Sequence, residues 1–127
     1  MDAIRILLAD DHPAVRAQIR KRLAHEPDFA IVGEADCSAS AVDCARELKP
    51  DIVLIDPMMQ DGLGLNATRQ IAALSQATAV VVLTAFSDTA QTIELRRAGT
   101  RHILNKGIES SRLVEVLRGI AGSRVPQ

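Results

Sequence analysis

Acidic side chains stand directly after two apolar segments of the sequence. Asp10 and Asp11 follow Ile4–Ala9, and Asp56 ends Ile52–Asp56. Carboxylates that are crowded together disfavour one another's ionisation, and a cation between them relieves this repulsion. A site whose ligands are all oxygens suits a hard cation, so the pattern predicts Mg²⁺, or Mn²⁺ in its place.

Two further polar positions follow later apolar segments. Thr84 and Ala85 come at the end of Ala79–Thr84, and Lys106 follows His102–Asn105. Positive charge and hydroxyl donors around a carboxylate suit a phosphoryl group, because phosphoryl transfer depends on positioning and charge neutralisation. The sequence therefore predicts a carboxylate that forms an aspartyl phosphate beside a bound divalent cation.

The apolar segments that carry these residues alternate with segments of helical spacing. Strands are expected at Ile4–Ala9, Phe29–Ala35, Ile52–Asp56, Ala79–Thr84 and His102–Asn105. Helical stripes are expected from Val15, Ile19 and Leu23; from Ala41, Ala45 and Leu48; from Ala67, Ile71 and Leu74; from Ala90, Ile93 and Ala98; and from Leu113, Val116, Leu117 and Ile120. This alternation predicts an α/β fold with a doubly wound, five-stranded parallel sheet and right-handed crossovers.

The strand sequences also indicate the strand order. The first, third and fourth segments are nearly continuous in apolar residues, which is typical of strands covered on both faces. The second segment contains Gly33 and Glu34, and the fifth is short and flanked by Arg101 and Asn105. Strands two and five are therefore expected at the edges, in the flavodoxin-like order 2-1-3-4-5. In that order the carboxyl ends of the strands form the ligand-binding edge.

The composition limits the classes of function. The chain has 127 residues, a net charge of −1 and 2% aromatic residues. This balance argues against nucleic-acid binding by the chain itself, because phosphate backbones need clustered positive charge. No apolar run reaches the ~18 residues of a membrane span, and the first residues lack the basic region of a signal peptide. We therefore expect a cytoplasmic chain without membrane contact, with one domain at residues 1–121 and a tail or truncated linker at 122–127.

Taken together, the motifs resemble the receiver domain of bacterial two-component response regulators. They are LLADDHPAVR, VLIDPMM, VVLTA and ILNK, and the resemblance covers essentially the whole chain. The Asp-Asp-His-Pro phrase is most similar to receivers that precede a LuxR/NarL-type helix-turn-helix domain. The resemblance implies a signalling domain rather than an enzyme. Such a domain would catalyse only its own phosphorylation and slow self-dephosphorylation.

The resemblance also implies a role for each site residue. Asp56 would accept the phosphoryl group. Mg²⁺ would be held by Asp10, Asp11, Asp56 and the backbone carbonyl of Met58. Lys106 would pair with Asp56 and then with the phosphoryl oxygens.

Switching after phosphorylation is assigned to a second set of residues. Thr84 and Ala85 would move toward the phosphoryl group, and Ile103 stands where receivers usually carry Tyr or Phe. We therefore expect a smaller structural response than in a typical receiver. Two apolar side chains, Met58 and Phe86, would flank the approach of the hydrolytic water, which predicts slow dephosphorylation.

The expected partner is a sensor histidine kinase, and the expected output is transcription, through DNA binding by an attached C-terminal domain. Homodimerisation is left open. The alternatives are a stand-alone receiver or a non-phosphorylated pseudo-receiver that acts as a protein-interaction module, favoured by Ile103, Pro57 and Gln60. Two enzyme classes fit poorly. A haloacid-dehalogenase-type phosphatase needs Asp or Thr at Met58, and a flavodoxin-like FMN binder needs a Gly-rich loop in place of Asp-Asp-His-Pro.

The sequence also predicts four local features. His12 is expected to be a solvent-exposed loop residue without a role in the site. Ser38 or Ser40 is expected to cap the second helix. Helix four, at about Thr89–Ala98, has the least regular apolar stripe, with Leu95 off it. Helix four, strand five and helix five are the expected output surface, near Arg96, Arg97 and Arg112.

Overall fold

The computed structural model describes residues 3–85, 88–100 and 102–123. Strands and helices alternate along these residues in the order β1 (Ile4–Ala9), α1 (Pro13–Leu23), β2 (Phe29–Ala35), α2 (Ser38–Leu48), β3 (Ile52–Ile55), α3 (Gly64–Leu74), β4 (Ala79–Thr84), α4 (Thr89–Arg97), β5 (His102–Asn105) and α5 (Ser110–Ser123). The strands form one parallel sheet in the order β2-β1-β3-β4-β5. The predicted fold and strand order are confirmed, and β3 ends one residue earlier than expected.

The hydrophobic core lies on both faces of the sheet. Because successive strand residues point to opposite faces, Leu7 and Val53 pack with α2 and α3, whereas Leu8 and Leu54 pack with α1 and α5. All four residues of β3 are buried, but β5 is only partly buried. The burial difference confirms that the near-continuous apolar segments are central strands.

Helices α1 and α2 begin at residues whose chemistry suits a helix N-terminus. Pro13 occupies the first turn of α1, as expected from its fixed φ and missing N–H. The expectation that a serine caps α2 is wrong: Cys37 is the N-cap, and its side chain accepts a hydrogen bond from the Ser40 N–H. Ser38 instead lies in the first turn and is 3% exposed. Its N–H and its hydroxyl both donate hydrogen bonds to Asp61, which satisfies these polar groups in their buried position.

Helix α4 packs against the core through Leu95, which the predicted apolar stripe did not include. Leu95 is 1% exposed and joins the core with Ile71 and Val82, whereas Ile93 is 45% exposed. The prediction that Leu95 lies off the packing face is therefore wrong. Asp88 caps the start of α4, where its side chain accepts a hydrogen bond from the Gln91 N–H. No described helix is long and apolar enough to cross a bilayer.

Candidate functional site

The candidate site lies at the carboxyl edge of the sheet, where the strand register brings its residues together. The Asp56 N–H donates to the Ala9 carbonyl at 2.9 Å, and the Lys106 N–H donates to the Thr84 carbonyl at 2.8 Å. These backbone bonds place the residue after each strand beside the end of the neighbouring strand. Asp10, Asp56 and Thr84 are 3%, 6% and 2% exposed, so the polar groups are held in a largely buried setting.

Lys106 bridges the two most buried carboxylates of the site. Its Nζ donates to Asp10 Oδ2 at 2.8 Å and to Asp56 Oδ2 at 2.6 Å. Burial alone would raise the pKa of Asp10, but the bonds from Lys106 and His12 outweigh it and lower that pKa below its usual range. Burial would likewise lower the pKa of Lys106, and its bonds to Asp10 and Asp56 raise it instead. One ammonium thus faces two buried carboxylates and offsets the charge of one of them.

The loop between β3 and α3 is held by backbone donors to the aspartates. The Met58 N–H donates to Asp56 Oδ1 at 2.8 Å, and the Gln60 N–H donates to Asp11 Oδ2 at 2.7 Å. Pro57 has no N–H to contribute, so Met58 and Gln60 supply the donors that connect this loop to the acids. Each carboxylate therefore has one oxygen with a fixed orientation.

A fourth aspartate, Asp61, fixes the far end of the same loop. It accepts bonds from the Ser38 N–H at 2.7 Å, the Ser38 hydroxyl at 2.8 Å and the Leu63 N–H at 2.9 Å. The bond from the Ser38 N–H is the largest of the effects that lower the pKa of Asp61. A Cβ at Gly64 would stand 2.0 Å from the Pro57 carbonyl oxygen, so only glycine permits this close approach. The turn signal Asp61-Gly62 could have indicated this loop from sequence.

His12 belongs to the site, contrary to the expectation that it has no role there. Its Nδ1 lies 3.0 Å from Asp10 Oδ1 and 2.9 Å from Asp11 Oδ1, and its backbone N–H donates to Asp10 Oδ1 at 2.9 Å. The side chain is 55% exposed, so the exposure was expected correctly and the contacts were not. The position directly after two aspartates and at the N-cap of α1 is the signal that sequence reasoning passed over.

The donor set fits a divalent cation. Asp10, His12 and Asp56 each offer one ligand atom, and these atoms lie within 4.8 Å of one another. Asp11 is outside that close group, but its Oδ1 is buried and accepts no hydrogen bond from the described residues. His12 Nδ1 is near this oxygen yet hydrogen-bonds to Asp10 instead. A cation would satisfy a buried carboxylate oxygen that accepts no hydrogen bond.

The other predicted residues that the structure describes make separate contacts. The Ala85 carbonyl accepts a bond from Asn105 Nδ2 at 3.1 Å, which connects the end of β4 to the end of β5. Ile103 is half-buried against the core on the α2 and α3 face. Met58 is 61% exposed, and its Sδ lies 3.1 Å from Gln91 Nε2 on α4. Phe86 lies outside the described residues.

Comparison with known proteins agrees with this geometry. Residues 6–118 match the family model of the response regulator receiver domain. The chain is 37% identical over 122 residues to the response regulator GacA of Pseudomonas aeruginosa, and the match covers 95% of this chain and 57% of GacA. It is 34% identical over 115 residues to the transcriptional regulatory protein LiaR of Bacillus subtilis, which covers 91% of this chain and 54% of LiaR.

A solved structure shows the same architecture. The two-component response regulator of the LuxR family from Aurantimonas sp. SI85-9A1 is 31% identical, with a TM-score of 0.87 over 97% of this chain and 88% of that chain. The chain spans a little over half the length of GacA and of LiaR. The fold, the acidic site at the carboxyl edge and these matches lead to one conclusion: the chain belongs to the response regulator receiver domain family, whose members are signalling domains of two-component systems.

Proposed function

We propose that Asp56 accepts a phosphoryl group from the phosphohistidine of a sensor histidine kinase, in a reaction that depends on a divalent cation. The observation that carries this proposal is the bridge from Lys106 Nζ to Asp56 Oδ2 and Asp10 Oδ2, at 2.6 and 2.8 Å. An ammonium beside a buried carboxylate compensates the charge of an incoming phosphoryl group. A lysine in an ordinary ion pair at the protein surface lacks this buried carboxylate, so water screens its charge.

In the proposed step, a carboxylate oxygen of Asp56 forms a bond to phosphorus while the phosphorus–nitrogen bond of the donor breaks. The imidazole that leaves keeps the electron pair and takes up a proton. Lys106 then faces the phosphoryl oxygens, and the Thr84 hydroxyl is the donor for one of them. Asp10, Asp11, Asp56 and the Met58 carbonyl would hold Mg²⁺, which supplies charge neutralisation for the phosphoryl oxygens.

Switching in this proposal begins at the end of β4. A hydroxyl bond from Thr84 to the phosphoryl group draws Ala85 with it and alters the bond that Asn105 makes to the Ala85 carbonyl. Ile103 is smaller than the aromatic residue usual at this position, so a smaller rearrangement follows. The signal then reaches the surface of α4, β5 and α5, near the exposed Arg96, Arg97 and Arg112.

The proposed output is control of transcription through a DNA-binding domain attached to this receiver. GacA is named a response regulator and LiaR a transcriptional regulatory protein, and both are longer than this chain. The chain itself has a net charge of −1, which suits a regulatory domain better than a DNA-binding surface. The reading frame beyond Gln127 tests this part of the proposal directly.

Intact mass tests the chemistry. We expect Mg²⁺ and a small-molecule acyl phosphate to add one phosphoryl group to the protein, and Asp56→Ala and Asp56→Asn to abolish the addition. Asp43→Ala is the matched control, because Asp43 is an exposed acid on α2 with 70% of its side chain in solvent. Lys106→Ala should remain phosphorylatable but give a weaker structural response.

Two outcomes contradict the proposal. A phosphorylated Asp56→Ala protein would show that another residue is the acceptor. A wild-type protein that gains no mass with Mg²⁺ and acyl phosphate would favour the non-phosphorylated interaction module instead.

A further inference from the structure

The His12 imidazole is positioned among carboxylates that the proposed phosphorylation uses, yet that proposal gives it no role. Its Nδ1 lies 3.0 Å from Asp10 Oδ1 and 2.9 Å from Asp11 Oδ1. The backbone of His12 is fixed on both sides of the ring. Its N–H donates a hydrogen bond to Asp10 Oδ1, and Pro13 directly after it occupies the first turn of α1. The nitrogen therefore points at the acids before any ligand is bound.

These distances match the spacing of neighbouring ligands on one metal ion. Two ligand atoms at ~2.1 Å from an octahedral ion and at right angles to each other are about 3 Å apart. Asp56 brings a further oxygen, since the ligand atoms of Asp10, His12 and Asp56 lie within 4.8 Å of one another. Asp11 Oδ1, 2.9 Å from His12 Nδ1, is buried and accepts no hydrogen bond from the described residues, so it is a further oxygen beside the nitrogen.

We infer that His12 Nδ1 is a direct ligand of the divalent cation in this site and tunes the site toward transition ions such as Mn²⁺. The inference rests on the proposed metal site. Imidazole nitrogen binds transition ions well, whereas Mg²⁺ prefers oxygen. As a ligand the ring is neutral, so the proton that Nδ1 shares with Asp10 in the metal-free site would have to move to Nε2. The 55% exposed side chain leaves the Nε2 edge open to water.

Pulsed EPR of Mn²⁺ bound to the full chain, without phosphate, tests the inference. A directly bound nitrogen gives a ¹⁴N modulation in the Mn²⁺ signal, and it should change to the ¹⁵N form when the protein is made with ¹⁵N-histidine. That measurement needs no substitution, so folding of a variant does not limit it. His25→Asn is the matched control, because His25 is exposed at the end of α1 and lies outside the site.

The variant His12→Asn separates ligation from positioning. Asn keeps an amide donor near the place of Nδ1, so it would preserve a purely orienting role toward Asp10 and Asp11. We expect it to remove the nitrogen modulation and to weaken Mn²⁺ binding about tenfold, while Mg²⁺ binding measured by competition changes less than about twofold.

Each other result has a definite meaning. Bound Mn²⁺ without nitrogen modulation in the wild type, or full Mn²⁺ affinity in His12→Asn, overturns the role of His12 and leaves the proposed metal site standing. Failure of the wild type to bind Mn²⁺ or Mg²⁺ at all overturns both the metal site and the inference.

Discussion

Helices α4 and α5 come before and after the edge strand β5, yet they are held to the domain very differently. The residues that α5 buries are Leu113, Val114, Leu117 and Ile120, whereas α4 buries Leu95. Arg118 on α5 also bonds Asp28 at 2.7 and 2.9 Å, and Arg22 on α1 bonds Ser110 Oγ at 2.9 Å. Elements that move are drawn from the less stable parts of a fold, so under the proposed function we expect α4 to respond and α5 to stay in place.

Among the described residues, a contact between side chains connects the candidate site to α4. Gln91 Nε2 on α4 lies 3.1 Å from Met58 Sδ, two residues after Asp56. The loop that carries Met58 is itself held by the bonds to Asp11, Asp56 and Asp61. The β3–α3 loop is thus held by several hydrogen bonds to aspartates, whereas α4 buries Leu95 and contacts the loop through Gln91.

The largest expected effect is on stability. Leu117→Ala should lower the free energy of unfolding by about 3 kcal/mol, because Leu117 is fully buried and its loss leaves a cavity. Ile93→Ala on α4 should change it by less than about 0.5 kcal/mol, since Ile93 is 45% exposed. Urea unfolding followed by far-UV circular dichroism suits a chain without Trp or Tyr. Equal losses for the two variants would remove the contrast.

Hydrogen exchange gives the second test, without substitutions. Amides of α4 should open at a free energy about 2 kcal/mol lower than those of α5, or about thirtyfold faster exchange. Under the proposed function, Mg²⁺ with beryllofluoride should alter protection in α4 and β5. If the changes were confined to α2 and α3, the assignment of the output surface would be wrong.

The third prediction concerns the lifetime of the aspartyl phosphate under the proposed function. Met58 is apolar and 61% exposed beside Asp56, so it cannot orient an attacking water by hydrogen bonding. Met58→Asn should speed loss of phosphate about tenfold, because better water placement needs only about 1.4 kcal/mol. Leu63→Asn, at an exposed apolar residue of the same loop, is the control. Phosphate loss within seconds in the wild type, or an unchanged rate in Met58→Asn, would contradict this role of Met58.

The smallest expected effect is the pH dependence of the α5 anchor. The Arg118 guanidinium lowers the pKa of Asp28, so this pair stabilises the fold above the ordinary Asp value of about 3.9 and loses its effect as pH falls through the lowered native value. The urea midpoints of the wild type and Arg118→Met should therefore differ slightly at about pH 7 and converge near about pH 2. Arg112→Met is the control, because Arg112 pairs with Glu115 on the same helix and does not connect α5 to the rest of the domain. A gap that persists in acid would point to lost packing on Phe29 instead.

Much of the fold could be predicted from the sequence because parallel central strands must be apolar on both faces. The segments around Val53 and Val81 therefore identified β3 and β4, and Gly33 and Glu34 placed β2 at an edge. The acids after β1 and β3 and the lysine after β5 could be brought together for the same reason: in this topology the carboxyl ends of the strands share one edge. Strand period and chain order alone determine these features.

Other features depend on side-chain directions and on contacts between distant segments, which spacing does not encode. Leu95 is buried on α4 and Ala98 directly after it, whereas Ala90 and Ile93 of the predicted stripe Ala90, Ile93 and Ala98 are exposed. Asp61 in the β3–α3 loop accepts a hydrogen bond from Ser38 on α2, and the half-exposed His12 directs Nδ1 toward Asp10 and Asp11. The sequence determined which chemical groups reach this edge of the sheet. Only the tertiary structure decided which atoms of those groups face one another, because a hydrogen bond requires both a short donor–acceptor distance and a favourable angle.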